Sequence, residues 1–317
     1  MNTRQKILEI LKTEDGYVSG EMLSKELGVS RNAVFKAIDV LRSEGHEIEG
    51  INRKGYMLKK QADILDADMI LSYINGDLGV EVFETIDSTN DEARRLYRDG
   101  RREPVLIVAD TQTKGRGRRG RDFYSPSHTG IYMTLLLFPD IAMEDSLKIT
   151  TRTAVVIAST IEKFLGDSVG IKWVNDLYYH DRKFCGILTE AVTDFETRHV
   201  DAIILGIGIN VTTEAFPKDI VAGSLGLHTV TRNEIAGSVA DGIIRMMNCP
   251  EDSSYMEEYR KRSILTGKVI GFEKDGVTRE GLVKGITDEG HLITEMNGEE
   301  VILSSGEISV RKDFLNK

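Results

Sequence analysis

The chain has 317 residues, of which 40% are hydrophobic and 29% are charged, and its formal net charge is −10. This length is enough for two or three domains, and the composition is typical of a soluble globular protein. There is no apolar run of about twenty residues and no signal-peptide core, and the two cysteines, Cys185 and Cys249, lack metal-type spacing, so we expect a cytoplasmic protein without a membrane partner.

The N-terminal part of the chain is predicted to contain three helices. Apolar residues recur at helical spacing over Thr3–Leu11 and Gly20–Leu27, and Gly28 is a typical helix stop. Ser30 then caps a third helix over Arg31–Glu44. The apolar residues expected on one side of the second helix are Met22, Leu23 and Leu27, and those expected on one stripe of the third are Val34, Ala37, Ile38 and Leu41.

The segment after the third helix, HEIEGINRKGYMLKK, is predicted to form a β-hairpin with a basic tip. Three helices followed by such a hairpin are the order of a winged helix-turn-helix, in which the third helix enters the DNA major groove and the hairpin tip approaches the backbone. The candidate DNA contacts are Arg31, Asn32 and Lys36 on the helix and Arg53 and Lys54 at the tip. The alternative is a small three-helix domain that binds protein.

The rest of the chain predicts two further domains. Residues 63–265 mix strand-like and helical runs, which indicates an α+β or α/β arrangement around a substantial sheet. The strand-like runs are Val105–Ala109, Ile131–Phe138 and Ala202–Ile209, and the helical ones are Asn90–Asp99, Ser146–Leu165 and Arg232–Met247. Short alternating strands in residues 266–317, with glycines from Gly271 to Gly306, predict a small β-barrel. We therefore expect an α+β protein of three domains, residues 1–62, 63–265 and 266–317.

The segment Thr111–Pro126 (TQTKGRGRRGRDFYSP) is a glycine-rich loop with a dense positive charge. It interleaves Gly115, Gly117 and Gly120 with Lys114, Arg116, Arg118, Arg119 and Arg121. Glycine allows backbone N–H groups to approach a ligand closely, and arginine binds carboxylate and phosphate groups. Because like charges repel one another, we expect this loop to be mobile until it closes around an anion.

Three polar residues, Ser88, Thr89 and Asn90, stand at the start of a predicted helix. Capping of the helix by Ser88 or Thr89 is the ordinary interpretation. Because the free N–H groups at a helix start also bind polar ligands, the three residues are candidates for a ligand site as well.

The segment Ile171–Glu190 is predicted to form a strand, a tight turn at His180–Arg182 and a returning strand that starts with Lys183. Lys183 is either a surface charge or an ammonium group that projects toward an anionic reacting group. Gly186 would allow close approach of the backbone. Asp176 either holds a divalent ion, orients the lysine or is a solvated turn carboxylate.

The strand ILGIGIN carries two interior glycines, Gly206 and Gly208, and ends in Asn210. Interior strand glycines often mark a place where a ligand lies on a sheet. The side chain of Asn210 can donate and accept hydrogen bonds, which suits the edge of an adenine.

Taken together, GRGRRGR, KWVNDLYY with the following RKFCGIL, DSTN and GIGIN resemble the signature set of biotin–protein ligases. The winged helix before them resembles the bifunctional bacterial kind, which also represses the biotin operon. The resemblance covers essentially the whole chain. It implies a central ligase domain with a mainly antiparallel sheet and a C-terminal barrel of the SH3-like type.

The resemblance implies a two-step reaction with biotin and ATP as substrates and Mg²⁺ present. Biotin's carboxylate attacks the α-phosphate of ATP to give biotinyl-AMP and pyrophosphate, and a lysine of a biotin carboxyl carrier protein then takes the biotin and releases AMP. Because two anions must meet in the first step, fixed positive charge is needed where negative charge accumulates.

The resemblance also implies roles for particular residues. The residues that match the biotin site are Ser88, Thr89, Asn90, Gln112, Gly115, Arg116, Gly117, Arg118, Lys183 and Gly186. Those that match the adenylate site are Arg116, Arg118 and Asn210, and the proposed catalytic set is Lys183, Arg118 and Asp176. The Mg²⁺ ligands and the roles of Arg119 and Arg121 are left open.

The chain departs from the family at three positions. Asp122 and Phe123 stand where relatives often carry a basic residue and tryptophan, and Val174 stands where proline is common. The resemblance further implies operator DNA as a partner and a homodimer that forms when biotinyl-AMP is bound, through an edge strand of the central sheet. The alternatives are a biotin sensor without enzyme activity and a lipoate or octanoyl ligase on the same scaffold.

Overall fold

The computed structural model describes residues 3–43, 45–60, 62–141, 146–193, 199–218, 220–249, 252–274, 277–304 and 308–310. The α-helices are α1 Thr3–Thr13, α2 Gly20–Leu27, α3 Arg31–Ser43, α4 Ala67–Leu71, α5 Thr89–Arg98, α6 Ser146–Leu165, α7 Arg232–Met247 and α8 Ser254–Lys261. The strands are β1 Glu47–Ile51, β2 Gly55–Lys60, β3 Gly79–Ile86, β4 Val105–Gln112, β5 Gly130–Leu137, β6 Gly170–Lys172, β7 Asp176–Tyr179, β8 Arg182–Thr193, β9 Val200–Asn210, β10 Val269–Lys274, β11 Val277–Ile286, β12 Leu292–Met296, β13 Glu299–Leu303 and β14 Ile308–Val310.

Helices α1, α2 and α3 form the predicted three-helix unit around a core of their own. Gly28 ends α2 with a left-handed φ of 65°, which glycine adopts without steric cost. The Ser30 hydroxyl accepts a hydrogen bond from the Ala33 N–H at 3.2 Å and caps α3 as predicted. Of the three residues predicted on one side of α2, Leu23 is buried, whereas Met22 has 43% of its surface exposed. Glu44, the predicted last residue of α3, lies outside the described residues.

The wing is an antiparallel hairpin of β1 and β2, as predicted. Arg53 at its tip has a left-handed φ of 64°. Gly55 has a φ of 113°, and a Cβ atom there would lie 2.0 Å from the Val18 carbonyl oxygen, so the close approach of the two backbones requires glycine. This approach holds the wing against the helices.

The central sheet has seven strands in the order β3-β4-β5-β9-β8-β7-β6. Among these described strands only β3 and β4 run parallel, so the prediction of a mainly antiparallel sheet is confirmed. Residues alternate between its faces: Leu106 and Val108 pack toward α6 and α7, while Val105 and Ile107 pack toward α5. The sheet is therefore a middle layer between helices.

The segment Ile171–Glu190 forms three strands rather than the two predicted. A turn at Trp173–Asn175 separates β6 from β7, and the predicted tight turn joins β7 to β8. His180 and Asp181 occupy that tight turn with φ values of 45° and 59°. The returning strand begins at Arg182, one residue before the predicted start.

The C-terminal part is a small antiparallel sheet in the order β13-β12-β11-β10-β14. Within the described residues, the two edge strands β13 and β14 do not pair with each other. Gly276 and Gly306, which were expected to punctuate these strands, lie outside the described residues. In the part of the chain that the structure covers, no helix has the length and apolar character needed to cross a membrane.

Candidate active site

A cavity of about 240 Å³ lies between the arginine-rich loop, the start of α5 and strands β8 and β9. Nine of the predicted site residues line it: Thr89, Asn90, Gln112, Arg116, Gly117, Arg118, Asp176, Lys183 and Gly186. These residues come from four separate segments of the chain, which the fold brings to one place.

The arginine-rich loop is folded as a short hairpin. The Gly117 N–H donates to the Arg121 carbonyl at 2.7 Å, and the Phe123 N–H donates to the Gly115 carbonyl at 2.9 Å. Arg119 and Gly120 turn the chain at the tip, with φ values of 56° and 72°. The predicted mobility of the loop before an anion binds stays a prediction.

Arg116 and Arg118, the two arginines predicted to bind the ligand, each have a polar partner within the protein. Arg118 donates from Nη1 to the Asn175 Oδ1 atom at 2.9 Å. Arg116 forms an ion pair from Nη2 to the Asp91 Oδ2 atom at 3.0 Å. Arg116 remains 53% exposed at its side chain, so its guanidinium is held at one edge and is accessible elsewhere.

Lys183 lies on β8 beside β7, and its Nζ atom is 2.7 Å from the Asp176 Oδ1 atom. Asp176 also accepts a hydrogen bond from Asn175 Nδ2 at 3.1 Å. Because both Lys183 and Asp176 line the cavity, the carboxylate orients the ammonium group beside the space where an anionic ligand would lie.

The floor of the cavity is a hydrogen-bonded polar cluster. The Gln112 Oε1 atom accepts from the Thr89 N–H at 2.8 Å and from the Thr89 hydroxyl at 3.0 Å. The buried Thr134 hydroxyl lies 2.8 Å from the Thr89 hydroxyl and 2.7 Å from the Asn90 Oδ1 atom. These bonds fix the directions of the polar groups that face the cavity.

The strand glycines make room for side chains of the protein as well as for a ligand. A Cβ atom on Gly206 would lie 2.2 Å from the Asn90 Oδ1 atom, and one on Gly208 would lie 2.4 Å from the Phe123 ring. Phe123 packs edge to face against Tyr132, with ring centroids 6.3 Å apart. The Phe123 ring therefore covers this part of the sheet.

Three predicted site residues lie outside the described lining of the cavity. Ser88 is 1% exposed and occupies the N-cap position of α5, but its hydroxyl makes none of the expected capping bonds in the described structure. The Ser88 N–H donates instead to the Asp87 carboxylate. Hydrogen bonds from Arg95 lower the pKa of Asp87 to about 2. Gly115 lines a neighbouring concavity together with Lys114, Gly120 and Tyr124.

Asn210 is the third of these residues and is 4% exposed. Its Nδ2 atom donates to the Gly223 carbonyl at 3.1 Å. Its Oδ1 atom is buried and has no hydrogen-bond partner among the described residues. A buried acceptor without a partner is costly, so its presence calls for an explanation.

Several residues that line the cavity were missed from the sequence. Lys172 and Trp173 belong to the KWVND motif, which could have pointed to them, and Trp173 donates from Nε1 to the Gly290 carbonyl at 2.8 Å. Ile308 comes from the C-terminal sheet, and no local pattern signals its place in the cavity. Arg119 and Arg121, whose roles were left open, also line it.

A second concave surface lies between α3 and the wing and contains three of the candidate DNA contacts, Arg31, Asn32 and Arg53. Lys36 is exposed on the same helix, and the Lys54 ammonium lies 5.7 Å from the centre of the Tyr17 ring. Phe35, which is 51% exposed beside these residues, was not predicted as a contact.

Comparison with known proteins agrees with this arrangement. Residues 82–210 match the biotin/lipoate A/B protein ligase family, and residues 3–57 match a helix-turn-helix domain. The chain is 32% identical to the bifunctional ligase/repressor BirA of Bacillus subtilis, over 93% of this chain and 94% of that protein. It is 29% identical to the bifunctional ligase/repressor BirA of Escherichia coli, over 96% of each chain.

Among solved structures, a biotin protein ligase from Aquifex aeolicus in complex with biotin and ATP is similar, with a TM-score of 0.63 and 25% sequence identity. That likeness covers 74% of this chain and 98% of the other. The similarity to the two BirA proteins thus extends over almost the whole chain, including the N-terminal helix-turn-helix segment. The chain belongs to the biotin/lipoate A/B protein ligase family and, within it, to the bifunctional ligase/repressors.

Proposed function

We propose that this chain is a biotin–protein ligase that also acts as a biotinyl-AMP-dependent repressor of biotin genes. It forms biotinyl-5'-AMP and pyrophosphate from biotin and ATP, and it transfers the biotin to a lysine of a biotin carboxyl carrier protein. The observation that carries the proposal is a single cavity lined by Lys183 with its Asp176 partner, by Arg116 and Arg118, and by a polar floor.

In the first step the biotin carboxylate attacks the α-phosphate, and negative charge builds up on the phosphate oxygens. The Lys183 ammonium stabilises this charge, and Asp176 keeps the ammonium directed at it. Arg116 and Arg118 supply further positive charge from the loop side. The hydrogen-bonded floor orients the ureido end of biotin through Thr89 and Asn90.

In the second step the carrier lysine, as a neutral amine, attacks the carbonyl carbon of the mixed anhydride, the bond from that carbon to the bridging oxygen breaks, AMP leaves, and the nitrogen releases one proton to solvent. The loop limits the access of water to the anhydride while the carrier docks. Asn210 is assigned to the adenine, since its unpartnered buried Oδ1 atom suits the exocyclic amino group. Because Asn210 is buried and bonded to Gly223, the segment that carries Gly223 would have to move before an adenine could reach Asn210.

Mg²⁺ belongs to the proposal because the substrate is a nucleoside triphosphate. Within the described residues, no group of three or more Asp, Glu, His or Cys side chains is arranged so that it could hold a metal ion by itself. Asp122 and Asp176 both line the cavity, and this donor set fits an ion that is held by one or two carboxylates together with phosphates and water. When bound, the ion would neutralise part of the phosphate charge.

The repressor role includes operator binding by the winged helix and a homodimer that biotinyl-AMP stabilises. Residues 188–193 of β8 pair with β9 on one side, whereas the pairing with β7 ends at Gly186, so their other edge is open within the described chain. An open edge suits strand addition by a second copy of this chain or by the carrier, and the two would compete for it.

A cytoplasmic location and closure of the C-terminal sheet into an SH3-like barrel are also part of the proposal.

The test of the enzyme incubates the full chain with biotin, ATP, Mg²⁺ and a biotin carboxyl carrier domain. Mass spectrometry is expected to detect biotinyl-AMP and a biotinylated carrier. Biotin binding without adenylate would indicate a sensor, and preference for lipoate or octanoate in competition would indicate the other acyl ligase. Either result would overturn the proposed enzyme.

The test of the repressor is footprinting on the control region of biotin genes. Protection is expected to require biotin and ATP together, and Asn32→Ala and Lys36→Ala should weaken it because these side chains face the major groove. Equal protection without biotin and ATP would contradict the proposed regulation.

A further inference from the structure

A chain of hydrogen bonds and ion pairs connects the cavity floor to the first arginine of the loop. Asp91 lies in the first turn of α5, directly after Asn90, and is 19% exposed at its side chain. Its Oδ2 atom pairs with Arg116 Nη2 at 3.0 Å, and its Oδ1 atom pairs with Arg94. Asp91 is thus shared between a loop arginine and a helix arginine.

Glu190 on β8 connects this pair back to the floor. Both of its carboxylate oxygens accept hydrogen bonds from Arg94, and its Oε2 atom accepts one from Asn90 Nδ2 at 2.8 Å. The Asn90 Oδ1 atom in turn accepts from the Thr134 hydroxyl at 2.7 Å. The Asn90 amide is therefore held at both ends.

The other end of the loop is tied to the same floor. Gln112 donates from Nε2 to the Ser125 hydroxyl at 3.0 Å, while its Oε1 atom accepts from Thr89. The network therefore runs from Ser125 through the floor to Arg116 and connects two positions of the loop. A change in the floor acts on the loop through these bonds.

We propose that Asp91 is a positioning residue for the ligase reaction, which holds the Arg116 guanidinium over the cavity with Arg94 and Glu190 as its support. This inference rests on the proposed function. Asp91 lies outside the described lining of the cavity, so it acts through Arg116. The guanidinium has five donors, and those not used by Asp91 remain for the carboxylate and phosphate of the ligand.

The physical reason is the cost of ordering a long side chain. A guanidinium on a half-exposed arginine loses rotamer freedom when it binds a ligand. Asp91 removes part of that freedom before the ligand arrives, so less is lost on binding. The charge of Asp91 is shared with Arg94, which limits the neutralisation of Arg116.

The test is the substitution Asp91→Asn in the full chain. We expect the dissociation rate of preformed biotinyl-AMP and the KM for biotin to rise about tenfold, with kcat at saturating substrate changed less than about twofold, because the lost interaction acts on ligand binding rather than on the transition state alone. Asp91→Glu keeps a carboxylate and should show a smaller increase in both values than Asp91→Asn. The matched control is Glu92→Gln, whose carboxylate pairs with Arg95 at 2.7 Å and should leave all three values unchanged.

A double-mutant cycle with Arg116→Ala separates positioning from a general structural role. In that background Asp91→Asn should have no further effect on dissociation, since the group that it positions is gone. Additive effects, an unchanged dissociation rate in the single variant, or slower dissociation would each overturn the inference. If thermal melting shows that Asp91→Asn does not fold, Asp91→Ser is measured in the same cycle.

The outcome is separable from that of the proposed function. If the wild-type chain forms no adenylate, the proposed enzyme fails, and calorimetric affinities for biotin alone are compared instead. A weaker affinity in Asp91→Asn that disappears in the Arg116→Ala background still supports positioning. Equal affinities of Asp91→Asn and wild type overturn it.

Discussion

At the scale of single residues, the lysine on β8 is the group with the sharpest chemical assignment. Lys183 has its ammonium 2.7 Å from Asp176 and lines the same cavity as Arg116 and Arg118. The three cations line one space, two of them from the arginine-rich loop and one from β8. Removal of one of them therefore acts on charge that develops in that space.

Lys183→Ala is expected to slow biotinyl-AMP formation at least tenfold, which is about 1.4 kcal/mol in barrier height. The reason is the loss of the cation nearest to Asp176, which would also leave that carboxylate to repel the phosphate. The rate is measured by pyrophosphate release in a single turnover. Lys284→Ala is the control, because this lysine pairs with Glu295 on the C-terminal sheet. An unchanged rate in Lys183→Ala would contradict the prediction and indicate that Lys183 is a surface charge.

Gly206 is a residue whose importance depends on a close contact. A Cβ atom there would lie 2.2 Å from Asn90 Oδ1, and Asn90 is buried and held by Glu190 and Thr134. Gly206→Ala should therefore cost about 1–3 kcal/mol of stability and weaken biotin binding. Thermal melting and calorimetry measure the two effects.

Gly285→Ala is the matched control for this substitution, because a Cβ atom on that strand glycine meets nothing within 4 Å. It should leave stability and biotin affinity near the wild-type values. If Gly206→Ala behaves like this control, the polar floor is less rigid than its hydrogen bonds indicate.

At the scale of secondary-structure elements, the junction between the wing and the next segment contains a buried imidazole. His46 is 7% exposed, and its Nδ1 atom accepts a hydrogen bond from the Ala62 N–H at 3.1 Å. Burial lowers the pKa of His46, and the charges of Lys12 and Arg4 lower it further. The neutral imidazole is thus part of the folded winged helix.

This burial predicts that acid destabilises the winged helix. As the pH falls below about 6.5, His46 takes up a proton in the unfolded chain but stays neutral in the folded one, so the unfolding free energy decreases until the lower folded pKa is reached. We expect the melting temperature to fall less between about pH 7.5 and about pH 5.5 in His46→Gln than in the wild type. The exposed His228 gives the control His228→Gln, and equal shifts in wild type and His46→Gln would contradict the prediction.

At the scale of the whole molecule, Arg232 connects segments that lie far apart in the chain. It is 1% exposed and pairs with Asp63 at 3.1 Å and Asp110 at 2.6 Å. It also donates to the Gly130 carbonyl at 3.0 Å. The residue therefore joins α7 to β4, β5 and the segment that follows the wing.

Arg232→Ala is expected to lower the free energy of unfolding by about 3–5 kcal/mol, because the partly buried Asp63 and the largely buried Asp110 lose the cation that pairs with them. Urea-induced unfolding of the full chain measures this loss. Arg245→Ala on the same helix is the control: its side chain is 67% exposed and pairs with Asp241 at 3.0 Å, so its loss should cost less than about 1 kcal/mol. Similar costs for the two variants would contradict the assigned role of Arg232.

The C-terminal sheet also meets the central part of the chain at the cavity. Trp173 donates to the Gly290 carbonyl, and Ile308 contributes to the cavity wall from the C-terminal sheet. On the N-terminal side, Asp66 accepts hydrogen bonds from Arg4 at 3.0 Å and Gln5 at 3.2 Å. The ligase cavity and the winged helix are thus parts of one connected structure.

Local patterns in the sequence predicted six of the eight described helices, the wing and the chemistry of the loop, but not the short helices α4 and α8. Helices α6 and α7 begin and end at the predicted residues because a regular apolar stripe and clear end signals act over neighbouring residues. The arginine-rich loop and Lys183 could be singled out because charge and glycine content are properties of short segments.

Only the tertiary structure decided which side chains meet. Ser88 and Asn210 lie outside the described cavity lining, Asp91 reaches Arg116, and Ile308 enters from a distant sheet. These outcomes depend on the rotation of α5 about its axis, on strand register and on the packing of separate domains, which are fixed by contacts between residues far apart in sequence. No pattern within a short segment carries that information.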